Sequence, residues 1–198
     1  MTEWTELNYA VVDVEGNGQQ PPDLVELAIV KIEKGIIKEP MSWLIKPDQP
    51  IRSFATKIHG IKNKDVEDAP SFSTIKTEVF QLLDGSPFVA HNAHIDIGAL
   101  QTKMKDWEPG EVFDTLKLAR RLRPGLKSYS LGALVKSFSL ADGLTSELTP
   151  HRAVYDAIVA ARLFVLLMTN GSGAPYSIEK AREILARGGT QNETPSLF

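Results

Sequence analysis

The sequence predicts a mixed α/β domain, an antiparallel meander of strands followed by alternating strands and helices. Three observations carry that prediction. Apolar and β-branched runs dominate the first 47 residues, the habit of strands. From Phe72 onward the apolar residues switch to helical spacing, and short apolar segments then alternate with helical ones, the order that builds a sheet flanked by helices. With 198 residues, 42% of them hydrophobic, the chain is long enough for one domain with a sizeable core.

The first strand is centred on Tyr9-Ala10-Val11-Val12, a continuous apolar run suited to the middle of a sheet. Residues 23–35 and 36–47 read as two more strands joined at Lys34-Gly35, where the glycine permits a tight reversal. Leu24, Glu26, Ala28 and Val30 fall on one face of the second strand. Residues 48–70 form a long connection with some local helix. Phe72, Ile75, Val79, Leu82 and Leu83 then mark a helix that Asp84-Gly85 stops. A strand over 87–92, a helix over 95–105 and a brief strand over 111–115 follow, which brings the expected sheet to five strands. The remainder reads as helix over 115–122, 130–139, 151–169 and 177–187. The last ten residues are polar and turn-rich until Leu197-Phe198, too poor in apolar surface to order themselves.

Composition excludes several chemistries. The absence of Cys removes disulfides, thiolate catalysis and Cys-ligated zinc, leaving oxygens and His as metal ligands. A net charge of -3 argues against a general polyanion-binding protein. A local basic segment remains at 117–127, with Lys117, Arg120, Arg121, Arg123 and Lys127; it reads either as a solvated helix face or as a short phosphate track. The N-terminal residues carry no basic and apolar leader pattern, and no apolar run is long enough to span a membrane, so a soluble, cytoplasmic protein is expected.

Against that background the carboxylates stand out. Residues 11–18, VVDVEGNG, end an apolar strand with Asp13 and Glu15, which alternation places on the same side. Two like charges there repel unless something positive sits between them, and a metal ion would serve. The core helix that contains residues 153–168 is apolar on nearly every face except at Asp156, which must be protonated, hydrogen-bonded, held beside a cation, or paired with Arg152 or Arg162. His151 lies about 140° around a helix from Asp156, so it belongs at the helix entrance, with Thr149 as N-cap and Pro150 at the first helical position. In HNAHIDIGAL, residues 91–100, Asp96 falls in the first turn of a helix, where an acid is routine; His91 and His94 read as loop hydrogen-bonding residues.

Taken together, D-x-E ending the first strand, an Asp opening a helix after the fourth, and H-x-x-x-x-D entering a late core helix resemble the DEDDh (DnaQ-like) 3′-to-5′ exonuclease superfamily, which includes the proofreading epsilon subunit of bacterial DNA polymerase III and ribonuclease T. The resemblance runs over residues 7–169 and takes in Ile58-His59-Gly60-Ile61, the H-N-A-x-x-D of residues 91–96, and Ser128-Tyr129-Ser130-Leu131-Gly132. It implies a ribonuclease-H-like fold, and the expected organisation is an exonuclease domain over 1–170, a C-terminal helix over 171–188 after a short linker, and a flexible tail over 189–198. It also implies that Asp13, Glu15, Asp96 and Asp156 hold two Mg²⁺ or Mn²⁺ ions, about 3.5–4 Å apart in such sites, and that His151 is the general base. Gly16, Asn17, Gly18, His59, Asn92 and Lys127 are the expected substrate-binding positions. One departure is visible: the family commonly continues D-x-E-T-x-G, whereas this chain has Gly16-Asn17-Gly18, so the grip on the terminal nucleotide can differ.

The activity implied is release of nucleoside 5′-monophosphates from the 3′ end of single-stranded or frayed nucleic acid, DNA favoured over RNA. The alternatives are a partner-bound proofreading or accessory subunit with little activity alone, an RNA-trimming exoribonuclease, or an endonuclease of the same fold, the last of which gives His151 no role. Ser196-Leu197-Phe198 resembles the end of a sliding-clamp docking peptide, though without its leading Gln.

Overall fold

The strand β1 (Asn8–Gly16) organises everything else, because it is paired along both edges. The structure, a computed structural model, describes residues 2–169 and 173–186. Antiparallel to β1 runs β2 (Leu24–Glu33), and on the other side of β1 lies the parallel strand β5 (Phe88–Ala90), itself paired with β6 (Val112–Asp114). Lys34 and Gly35 both adopt left-handed backbone, φ 51° and 76°, which suits the two-residue reversal out of β2.

The third strand expected over 36–47 is divided. β3 (Ile36–Ile37) and β4 (Met41–Leu44) both pair antiparallel with β2, giving a mixed sheet of six strands instead of five. Between the Ile32–Ile37 and Ile29–Met41 pairs the edge chain uses one residue more than β2 does. Pro40, which has no N–H to give the ladder, lies in that extra stretch.

Seven helices complete the described residues: α1 (Ser53–His59), α2 (Phe72–Leu83), α3 (His94–Lys103), α4 (Thr115–Leu122), α5 (Leu131–Phe138), α6 (Ala153–Met168) and α7 (Ile178–Ala186). The two faces of the sheet carry separate cores. Tyr9, Val11, Ala28, Val30 and Ile32 pack under α6 together with residues of α4, α5 and α7. Ala10, Val12, Leu27 and Ile29 face Ile75 and Val79 of α2 and Leu100 of α3. A smaller core of Val25, Ile51, Ala55, Ile61 and Val66 lies beneath α1.

α6 is buried nearly all round, as its sequence requires, because it is covered by α4 and α5 as well as by the sheet. α7 joins the same core through Ile178, Ala181 and Ile184, and the Ile178 N–H donates to the Thr2 carbonyl at 2.9 Å. The expected tail over 189–198 lies outside the described residues. Among the described residues no helix is long and apolar enough to cross a membrane.

Phe164 joins the layers. Its ring centroid lies 4.9 Å from that of Tyr9, 5.7 Å from Phe113 and 5.8 Å from Trp4. Phe164→Ala should lower unfolding free energy by about 3–5 kcal/mol through the cavity it leaves, whereas Phe80→Ala on exposed α2 surface should cost under about 1 kcal/mol; urea melts compare the two.

Candidate active site

β5 pairs with β1 only at Ala10 and Val11, so the second half of β1 extends beyond its parallel neighbour. The Val14 N–H is there met by a side chain, donating to Asp96 Oδ1 at 3.2 Å. Asp13 and Glu15 share the face of Tyr9 and Val11, the face covered by α6, and Asp156 stands in the first turn of that helix. Carboxylate oxygens of Asp13, Glu15 and Asp156 all lie within 4.8 Å of one another. Asp96, expected as a fourth member, is buried beside this trio and tied to the backbone of β1.

The electrostatics follow from that crowding. Burial, then repulsion from Asp96, Asp156 and Glu15, drives the Asp13 carboxyl well above the usual range. Burial pushes Glu15 up to about 8, with Asp156 and Glu26 adding to it, and Asp96 to about 8 against its backbone hydrogen bonds. Asp156 is raised to about 6, again by burial, with His151 pulling the other way. A set of oxygen donors that is costly to ionise together is what a hard divalent cation relieves, so Asp13, Glu15 and Asp156 fit Mg²⁺ or Mn²⁺.

Neither arginine considered for Asp156 pairs with it. Arg152 turns to Glu26, and Arg162 Nη1 donates to the Leu140 and Asp142 carbonyls at 2.9 and 2.8 Å. Asp156 Oδ2 instead accepts the His151 N–H at 3.0 Å. The helix also starts later than expected: α6 begins at Ala153, with Arg152 as N-cap, while Thr149 and Pro150 stand in the preceding turn. His151 has φ 62°, left-handed backbone that a right-handed helix does not accommodate, and its side chain is exposed. The Ala153 N–H is capped from another strand, by Glu26 Oε2 at 2.8 Å.

Several expected substrate-binding residues have structural duties. The Asn17 side chain is fully buried; its Oδ1 accepts from the N–H groups of Gln19 and Asp23, and Nδ2 donates to the Gln49 carbonyl. Asn17 therefore holds the loop after β1 closed and has no side-chain surface for a nucleotide. Lys103 secures the same loop by bridging Asp23 and Asp48, each at 2.7 Å. Gly18 has φ 76°, and a Cβ there would fall 2.7 Å from Phe54 Cζ. His59 is buried: its Nδ1 accepts the Ile61 N–H at 3.1 Å, which leaves Nε2–H to donate to the Gly16 carbonyl at 3.3 Å, pinning α1 to the end of β1.

On the other flank, Asn92 has φ 70° and its N–H donates to Asp114 Oδ1, which also caps α4. His91 links that turn to two others, with Nδ1 3.0 Å from Thr115 Oγ1 and Nε2 3.0 Å from the Tyr129 carbonyl. A carbonyl only accepts, so Nε2 carries the proton, and burial holds the ring below its ordinary pKa. Lys127 is exposed in the loop that Tyr129 anchors. Within the basic segment Arg121 is engaged by the Ile184 carbonyl, while Lys117, Arg120 and Lys127 are exposed.

Glu26 is the site residue that the sequence reading passed over. It is 3% exposed, opposite Glu15 in the β1–β2 register and next to a bulge where Gly16 pairs with Leu24 and Val25 is skipped. The signal was an acid inside the apolar run of residues 24–30.

A curled mixed sheet with carboxylates gathered at the end of its central strand defines an α/β nuclease domain of ribonuclease-H-like fold. The exonuclease family model matches residues 10–164, and the chain belongs to that family of DnaQ-like 3′-to-5′ exonucleases. It is 38% identical over 178 residues to exodeoxyribonuclease 10 of Escherichia coli, covering 89% of this chain and 74% of that protein. It is 35% identical over 175 residues to the 3′-5′ exonuclease DinG of Bacillus subtilis, covering 85% of this chain but 18% of that protein. Among solved structures, exonuclease X in complex with 5′ overhanging duplex DNA is similar with a TM-score of 0.73 and 34% identity, over 90% of this chain and 99% of that one.

Because their pKa values rise on folding, Glu15, Asp96 and Asp156 favour the folded state when protonated, below about pH 4, the ordinary carboxyl range. That contribution is lost as pH climbs through about 6 and about 8. Metal-free protein should melt at lower temperature at pH 8.5 than at pH 5, and Mg²⁺ or Mn²⁺ should raise the melting temperature more at the higher pH; differential scanning fluorimetry reads both. Asn17→Ala should cost about 2–3 kcal/mol by stranding buried loop N–H groups, measured by chemical denaturation.

Proposed function

We propose that the chain is a divalent-metal-dependent 3′-to-5′ exonuclease that removes nucleoside 5′-monophosphates one at a time, with DNA its preferred substrate. The observation that carries this reading is the convergence of Asp13, Glu15 and Asp156 within 4.8 Å, with His151 tied to Asp156 through its N–H. Asp13, Glu15 and Asp156, with Asp96 alongside, would hold two Mg²⁺ or Mn²⁺ ions. Divalent cations so held supply Lewis-acid stabilisation of the attacking and leaving oxygens. His151, exposed at the mouth of the site, takes the proton of the attacking water on a ring nitrogen.

The name of the Escherichia coli relative and the DNA held by exonuclease X support DNA over RNA. A duplex with a 5′ overhang has a recessed 3′ end, so we extend the substrate from single strands to such ends. Lys127, with Lys117 and Arg120 on α4, supplies a short phosphate track, sufficient for a pocket that admits one terminal nucleotide. A second reading, an exonuclease module serving as a proofreading or accessory part of a larger protein or polymerase assembly, is favoured by the length of several relatives. The chain spans 18% of DinG and 11% of a DNA polymerase III of PolC type from Caldanaerobacter subterraneus. Docking on a sliding clamp through Ser196-Leu197-Phe198 concerns residues outside the described ones.

The test follows 5′-labelled DNA and RNA strands with Mg²⁺, Mn²⁺ or EDTA. A metal-dependent ladder shortening from the 3′ end, faster on DNA, is expected; Asp13→Ala should abolish it and His151→Ala should lower kcat about 10²–10⁴-fold. Cutting of circular single strands, or absence of any ladder, would overturn the reading. Lys127→Ala should weaken single-strand binding and reduce the slope of log affinity against log salt by about 0.7, measured by fluorescence anisotropy.

A further inference from the structure

We propose that Glu26 and Arg152 form a latch that positions His151 for its proton transfer, an inference that rests on the general-base reading of His151 above. Glu26 stands outside the trio of clustered acids although it faces the same site. Both of its oxygens are committed. Oε1 accepts from Arg152 Nη2 at 2.6 Å, and Oε2 accepts from Arg152 Nε at 3.0 Å and from the Ala153 N–H at 2.8 Å. One carboxylate, its side chain 4% exposed in the central region of the sheet, thus grips both the side chain of Arg152 and the backbone of the next residue.

The residue just before that grip is His151. Its side chain is exposed, so the direction from which the imidazole swings into the site, that of the Cα–Cβ bond, is set by its backbone. That backbone is left-handed, a conformation that persists for a residue other than glycine only where the surroundings enforce it. The enforcement comes from both sides: Asp156 takes the His151 N–H, and Glu26 fixes Arg152 and Ala153 immediately after it. A buried ion pair contributes little to stability relative to apolar residues, but a two-point guanidinium–carboxylate fork fixes a distance and an orientation. Glu26 directs its hydrogen-bonding oxygens to Arg152 and Ala153, and neither it nor Arg152 is assigned to the reacting atoms. They are positioning residues.

The experiment uses the whole chain. Arg152→Gln and Glu26→Gln should each lower kcat at saturating Mg²⁺ by about 10–100-fold, the range for partners that orient a catalytic group, with KM for a 3′-ended DNA within about twofold of the parent. In a His151→Ala background the same changes should add less than about twofold, because a residue acting through His151 has nothing left to position. In metal-free protein the melt should fall, because one partner of a buried pair is lost, and amide exchange over residues 149–153 should accelerate at least about tenfold more than exchange over residues 9–12 of β1. Losses that multiply in full with His151→Ala, a rate restored by raising Mg²⁺, or unchanged exchange over 149–153 would each overturn the latch. Should Glu26→Gln fail to fold, Arg152→Lys carries the same test, since it keeps the charge on a side chain that is 39% exposed and removes only the fork. The general-base reading fails separately, if His151→Ala alone leaves kcat unchanged, and the exchange measurement still decides whether the pair holds the segment.

Discussion

Repulsion among carboxylates at the end of β1 is the constraint around which this molecule is built. Asp13, Glu15 and Asp156 are crowded together in a partly buried site with Asp96 adjoining, and each is pushed toward its neutral form by loss of water and by the others. Such an arrangement is costly for a metal-free fold, and it persists only because the surrounding elements leave these side chains no alternative placement.

Those elements achieve this by fixing backbone. Asp96 accepts a strand N–H that β5 is too short to reach. Asn17, Asp23 and Lys103 close the loop that follows Glu15, and His59 fastens α1 to the carbonyl of Gly16. The Gly16–Leu24 bulge sets Glu26 opposite Glu15 and sends Val25 into the core beneath α1. Polar residues near the acids that would ordinarily be read as substrate contacts are consumed in this scaffolding, as Asn17 and His59 illustrate.

α6 connects the site to the core. Its apolar faces are gripped by the sheet, α4 and α5, and Phe164 sits among Trp4, Tyr9 and Phe113, so the helix axis is rigidly placed. Its first turn, by contrast, is capped by a residue more than a hundred positions away in sequence. The helix therefore presents Asp156 from a firm base while the orientation of the segment before it, with His151, is set by the sheet.

The sequence by itself determined the strand and helix order, the shared side of Asp13 and Glu15, the burial of the helix bearing Asp156 and the first-turn place of Asp96. These follow from side-chain periodicity and local dipoles, which act within a few residues. Tertiary structure alone decided where α6 begins, what became of Thr149 and Pro150, and the partners of Asn17, His59 and Arg152. Local preference named Thr149 as a cap, but Glu26 from β2 took the Ala153 N–H instead, and no pattern within the neighbouring residues encodes that approach. Caps, ion pairs and loop staples between distant segments depend on how sheets and helices stack, and stacking is a property of the whole fold.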